Sequence, residues 1–305
     1  MIYTVTFNPS LDYVLQLEEL QMGRVNRAEK EQLTVGGKGL NVSLVLGNLG
    51  VDSVAMGFVG GFVGDEIARQ LQNTGCRTDF IRLARGVSRI NVKLHTGQET
   101  EINGAGPDIE PAALQALQHK LDRLQTGDVL VLAGSIPRSL PDDIYQTVMA
   151  RLQQRGVDFV VDATGRLLSE TLRYRPFLIK PNHHELAEIA GRPLDDDRQR
   201  IAFARQLQKQ GARNVLVSMA GDGALLCAED GAVYKLPAPQ GKVVNSVGAG
   251  DSMVAGFLAG WQCSGDCRQA FCWGVAAGSA SAFSPGLATR SQVEALRGGL
   301  RAERL

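Results

Sequence analysis

The sequence predicts an α/β protein in which a mainly parallel central sheet is covered by helices on both faces, with a smaller β sheet standing off it. Three observations predict this. In the second half, short Val, Leu and Ile runs alternate with stretches whose apolar residues recur at helical spacing, the signature of strands buried on both faces. In the first third, the strand-like segments carry polar residues at alternate positions, as in a sheet with one wet face. Two glycine-rich turns, one in each half, each open into a helical pattern.

Taken in order, "MIYTVTF" alternates like a strand and lacks the basic region and apolar core of a signal peptide. "YVLQL" (13–17), "NRAEKEQLTV" (26–35), "VSRINVKL" (87–94) and "ETEIN" (99–103) read as strands, interrupted by helical "GLNVSLVLGNLG" and "GDEIARQLQNTG". These separated segments are expected to form a discontinuous β lid drawn from about residues 10–35 and 86–104, within a single domain covering 1–305. "DVLVLAG" (128–134), "DFVVDAT" (158–164) and "PFLIKPN" (176–182) are the next strands. Helical "PDDIYQTVMARLQQRG", "HHELAEIAG" and "RIAFARQLQKQG" alternate with them, and "NVLVSMAGDGALLC" is a strand that turns back on itself. The last ten residues, "LRGGLRAERL", read as a frayed surface helix.

Composition removes several classes of function. Lys+Arg and Asp+Glu are both 32, so no global basic field draws in nucleic acid or an acidic membrane. An anionic ligand needs a local site. No stretch approaches the ~20 apolar residues of a membrane helix. The five cysteines include no C-x-x-C pair, which points to free thiols in a reducing cytoplasm. Cys263, Cys267 and Cys272 lie close in sequence without a neighbouring histidine and read as buried small hydrophobes rather than metal ligands.

The chemistry gathers at the glycine-rich turns. "VNSVGAGDSMVAGF" (244–257) is a loop opening into a helix, with Gly248, Ala249 and Gly250 before Asp251. Such a helix start offers free N–H groups and the positive end of the dipole to an anion. The plain alternative is that Asp251 only complements the helix. There is neither a Walker A sequence nor a G-x-G-x-x-G after the first strand, so phosphate would have to be held by a turn of this kind. "GGKGLNVS" (36–43) adds Gly37, Lys38 and Asn41; a tight strand-to-helix turn explains the glycines but has no need of the lysine. In "KPNHHELAE", Asn182 and Glu185 fit a capping box, or a carboxylate and amide ordering hydrated magnesium. His183 and His184 are expected to diverge on the helix. Ser218, Gly221 and Gly223 in "VSMAGDGALL" suit a tight hairpin, or a nucleotide pocket beside one.

"GGKGLNVS" and "NSVGAGDSMVAGF" resemble the two signatures of the ribokinase-like sugar kinases, the PfkB family. "NPSLD", "AGSIP", "KPNHHELAE" and "SMAGDGA" fall in the family's order, so the resemblance spans nearly the whole chain. "NSVGAGD" departs mildly, since many members carry an Asp-Thr pair before the glycines, and is similar to the variant of the phosphosugar branch. The resemblance implies an α/β/α sandwich with a small β lid, ATP and magnesium as cosubstrate and cofactor, and phosphorylation of a sugar hydroxyl. It also implies Asp251 as catalytic base and Gly248, Ala249 and Gly250 as anion hole. "SRINVKL" and "TEINGAGP" are similar to the branch that converts fructose 1-phosphate to fructose 1,6-bisphosphate, with the tagatose 6-phosphate branch a near relative. On that basis Asp12, Gly37 and Asn41 are expected to hold sugar hydroxyls. Lys38 and Arg89 would neutralise the substrate's existing phosphate, with Asn91 and Lys93 nearby; a solvated strand face is the alternative for Arg89 and Lys93. Lys180, Asn182, Ser218, Gly221 and Gly223 would line the ATP side, and Glu185 would reach magnesium through water. A homodimer formed through the lid is implied as well, in keeping with exposed lid strands. A catalytically silent metabolite binder of the same fold is the alternative from a different class.

Overall fold

The strand Ile2–Thr6 lies inside the main sheet of the computed structural model, which describes residues 1–96 and 99–305. It pairs in parallel with Ser53–Val59 on one side and Val129–Ala133 on the other. Beyond the latter come Asp158–Asp162, Leu178–Ile179 and Asn214–Ser218, all parallel. Ala224–Cys227 and Val233–Leu236 then extend the sheet antiparallel. Because the chain winds outward in both directions from Ile2–Thr6, the C-terminal end of that strand is a topological switch point, where ligands bind in open α/β sheets.

Strand alternation explains the two helical layers. Leu130, Leu132, Val161, Ile179 and Val217 face one apolar core with Tyr145, Met149 and Leu207. Val129, Val131, Val160, Leu178 and Leu216 face the other, with Val45, Val254, Phe257 and Val275. The helices Ala249–Ser264 and Cys267–Ala282 pack without a gap because Gly256 has no side chain: a Cβ there would lie 2.5 Å from the Trp273 carbonyl oxygen.

The small sheet has the order Lys30–Gly36, Ser10–Gln16, Arg89–His95, Glu99–Asn103. Ser10–Gln16 runs antiparallel to the first and parallel to the third. Its inner edge rests on the helix Gly61–Asn73 through Leu11, Val63 and Ile67. The expected lid range takes in Gly97 and Gln98, which lie outside the described residues.

Four expectations need correcting. The C-terminal segment is not a frayed helix: after the helix Arg290–Arg297 the chain returns as the edge strand Glu303–Arg304 beside Val233–Leu236, with Ala302 buried. This two-residue strand is charged and exposed and is held by backbone pairing, and Arg268 donates to the Ala302 carbonyl. Cys263 is exposed near the end of its helix, and Cys267 and Cys272 are only half-buried, packed at the margin of one core rather than inside it. Residues 26–29 are irregular, so that strand begins at Lys30. Finally, the rings of His183 and His184 do not diverge but lie 3.9 Å apart, centroid to centroid, in the helix's first turn. Among the described residues no helix is long and apolar enough to cross a membrane.

Candidate active site

A cavity of about 1590 Å³ opens at the switch point and runs from under the lid to the turn after Ser218. It exceeds the roughly 300–1,000 Å³ of a single-ligand pocket and so has room for two molecules side by side. Every site residue singled out from the sequence lines it.

The middle of the cavity is built by the GAGD turn. Gly248 adopts the left-handed conformation (φ 77°), and a Cβ there would meet Leu287 at 2.7 Å. A Cβ on Gly250 would come within 3.2 Å of the Lys180 Nζ, so the bare backbone is what lets a buried ammonium lie against the helix start. Asp251, only 6% exposed, accepts a hydrogen bond from Asn41 Nδ2 at 2.8 Å on Oδ2. Burial and then the charge of Asp162 push its carboxyl up to about 6; Asn41, Lys38 and Lys180 pull the other way. A carboxylate so tuned can hold or release a proton near neutrality.

Asp162 ends the strand Asp158–Asp162 and is fully buried. Lys38 Nζ lies 2.9 Å from its Oδ1 and Lys180 Nζ 3.3 Å from its Oδ2. Burial works against its charge, but the two lysines outweigh it and hold the carboxyl below its ordinary range. In turn, burial opposes the charge on Lys38, and Asp162 outweighs that to keep Lys38 firmly protonated. Asp162 was not among the residues picked from the sequence. Its signal was positional: the last residue of a parallel strand, at the end where such sheets bind ligands.

The lid end is a second polar cluster. Asp12 Oδ1 accepts from Ser10 Oγ (2.6 Å) and Asn91 Nδ2 (2.9 Å), and Oδ2 faces Lys93 Nζ at 3.0 Å. Arg89, Asn91 and Lys93 share one face of their strand and all reach the cavity. Arg89 donates through Nε to the Asn8 carbonyl at 3.0 Å; its partial burial disfavours the charge, with Asp12 partly compensating. Lys38 does not join this cluster: its charged neighbours are Asp162, Asp251 and Glu185, whereas Arg89 senses Asp12.

At the far end, Asn182 and Glu185 form the capping box. Asn182 Oδ1 accepts from the Glu185 backbone N–H and Glu185 Oε2 from that of Asn182, both at 2.8 Å. Asn182 also bridges to Ser218. Gly223 (φ 89°) makes the hairpin possible, since a Cβ there would strike the Leu236 carbonyl oxygen at 2.0 Å; around Gly221 there is open space.

A two-ligand cavity at an α/β switch point, roofed by a β lid and centred on a tuned carboxylate among lysines, has the makings of a phosphoryl-transfer enzyme for small polar acceptors. Comparison with known proteins narrows this. The family described as "pfkB family carbohydrate kinase" matches residues 5–294, and the chain belongs to that family. It is 47% identical over 305 residues, the full length of both chains, to a 1-phosphofructokinase of Bacillus subtilis. It is 37% identical, over 96% of each chain, to a D-tagatose-1-phosphate kinase of Bacillus licheniformis. The phosphofructokinase-2 of Escherichia coli, solved in complex with substrates and products, superposes with a TM-score of 0.92 at 25% identity over 97% of this chain and 98% of that one.

Proposed function

We propose that this kinase transfers the terminal phosphoryl group of ATP to fructose 1-phosphate, giving fructose 1,6-bisphosphate, as one catalytic unit of core and lid. The observation that carries this reading is the placement of Asp251 between a cationic lid end and an open, glycine-lined far end of one cavity. The full-length likeness to a 1-phosphofructokinase supports the choice of acceptor.

In this reading Asp12, Gly37 and Asn91 hold the sugar, and Arg89 with Lys93 faces the phosphate it already carries; a guanidinium is suited to bidentate binding of such a group. Lys38 moves from the expected phosphate anchor to the reacting end, since its partner is Asp162. Asn41 holds Asp251 in place. The C6 hydroxyl gives its proton to Asp251 as its oxygen bonds to the terminal phosphorus; the bond from phosphorus to the bridging oxygen breaks, and ADP leaves with that electron pair. The N–H groups of Gly250 and Asp251 precede Ser252, the first intrahelical donor, and are left to stabilise the transferring oxygens, whereas that of Ala249 donates to the Ser246 carbonyl and tightens the turn. Ser218, Gly221, Gly223, Lys180 and Asn182 border the nucleotide.

Magnesium fits this donor set. Among the described residues no three acidic, His or Cys side chains gather to hold a metal, and Asp162 is occupied by lysines. Glu185 spends Oε2 on its cap and leaves Oε1 for the water shell of an ion held mainly by phosphates. When bound, the ion offsets charge on the donor's phosphates.

The outer face of the lid carries Leu33, Ile90 and Ile102, which are 48%, 40% and 60% exposed, and pairing with a second copy there would cover them. The setting we infer is the cytoplasm, in keeping with five free cysteines. The test is ATP consumption with magnesium against fructose 1-phosphate, tagatose 1-phosphate, tagatose 6-phosphate, fructose 6-phosphate, fructose and ribose. A kcat/KM highest for fructose 1-phosphate is expected; a higher value for any other sugar moves the assignment to that acceptor, and silence on all of them ends it.

A further inference from the structure

Asn8 lies where the main-sheet strand Ile2–Thr6 crosses into the lid strand Ser10–Gln16. It is 6% exposed and lines the cavity. Its side chain donates from Nδ2 to the carbonyl of Ala105 at 3.0 Å, tying it to the segment by which the chain leaves the lid after Glu99–Asn103. Its backbone carbonyl accepts from Arg89 Nε at 3.0 Å, so the side chain acts on Arg89 indirectly, by holding this stretch of backbone against Ala105. One residue therefore joins three of the places where the lid meets the core.

The arrangement is closely constrained. Gly106 (φ 86°) brings its backbone so near that a Cβ would stand 2.2 Å from Asn8 Oδ1, and a Cβ on Gly104 would stand 3.1 Å from Arg89 Cβ. Asn8 Oδ1 is buried without a hydrogen-bond partner. Turning the amide over would aim that oxygen at the Ala105 carbonyl, so the Nδ2 bond fixes its orientation. An unpaired buried acceptor is unfavourable, and a residue present only to fill space has no reason to carry one. The bond to Arg89 uses Nε alone, which fixes the guanidinium plane and leaves both Nη groups for a ligand in the cavity.

We propose that Asn8 is a positioning residue that aims Arg89 at the acceptor's phosphate, and so sets the preference for a phosphorylated over an unphosphorylated ketose. This rests on the reading of Arg89 as the phosphate anchor. The "NGAGP" segment, otherwise without a part in the chemistry, supplies the side-chain-free surface against which Asn8 and Arg89 are held.

A double-mutant cycle with Asn8→Ala and Arg89→Ala tests it, measured as KM for fructose 1-phosphate, KM for ATP, kcat, and kcat/KM for fructose. Asn8→Ala is expected to raise the fructose 1-phosphate KM about tenfold, with kcat and the ATP KM within about twofold, and to leave fructose unaffected. The double variant should be no worse than Arg89→Ala alone. If the two losses multiply, or if the ATP KM rises in step, Asn8 acts on the fold at large and the inference is overturned. An unchanged fructose 1-phosphate KM in Arg89→Ala overturns the anchor reading, and this inference with it. Asn8→Ser, which keeps a short polar group, repeats the cycle should Asn8→Ala not fold.

Discussion

The lid end and the middle of the cavity each set a buried aspartate against buried lysine, yet the two places are suited to different work. At the lid, both oxygens of Asp12 are taken by Ser10, Asn91 and Lys93, all on two adjacent strands. Such a carboxylate is held still, which suits it to orienting a ligand rather than to moving a proton. At the core, Asp162 takes both Lys38 and Lys180, and Asp251 is left with a single donor, Asn41. Two buried acids in one site are thereby driven apart in proton affinity, Asp162 downward and Asp251 up to about 6. Which acid the lysines choose decides which one keeps its proton closer to neutrality.

The largest break in this comparison is Asp251→Asn. It should cut kcat by about 10³-fold, within the range for losing a positioned general base, while ATP binding by calorimetry stays within about threefold. The same change should raise Tm at pH 7. Because the folded carboxyl titrates near 6 and the unfolded one near about 4, ionising Asp251 subtracts stability as pH rises through that window. The gain should vanish below pH 4. Asp162 has the opposite sign, since its stabilisation is present above the unfolded value and is lost as pH falls.

Asp162→Asn comes next. It strands the buried Lys180 ammonium and the half-buried one of Lys38 and should cost about 3 kcal/mol in urea unfolding. With its charge gone, the acid limb of kcat/KM, expected near pH 6 in the wild type, should move to lower pH. A limb that stays in place would mean that burial alone tunes Asp251. At the lid, Arg89→Ala should raise the fructose 1-phosphate KM about 10- to 100-fold, the equivalent of one charged hydrogen bond at about 1.5–3 kcal/mol, with kcat little changed. The smallest effect sharpens the picture at the far end. Glu185→Gln can keep the capping box but loses the charge, so Tm should hold while the magnesium concentration for half-maximal rate rises by about threefold to tenfold. A fall in Tm with no change in magnesium dependence would return Glu185 to a cap alone.

By itself the sequence determined the layers, the lid and the two glycine turns. Those features are local: strand alternation puts Arg89, Asn91 and Lys93 on one face, and only glycine meets the backbone at Gly248 or Gly223. The cap of Asn182 and Glu185 was legible for the same reason, being three residues long in reach. What the chain does locally without a turn signal was harder to read, as the return of Glu303–Arg304 to the sheet shows; that strand exists only because Val233–Leu236 offers it an edge. Tertiary structure alone decided the ion pairs. Lys38 meets Asp162 across 124 positions and Asn41 meets Asp251 across 210, and no spacing along the chain encodes either meeting. Proton affinity depends on burial and on charges a few ångströms away in space, so the sequence could nominate Asp251, but only the fold could make Asp162 its neighbour and give the lysines to that neighbour.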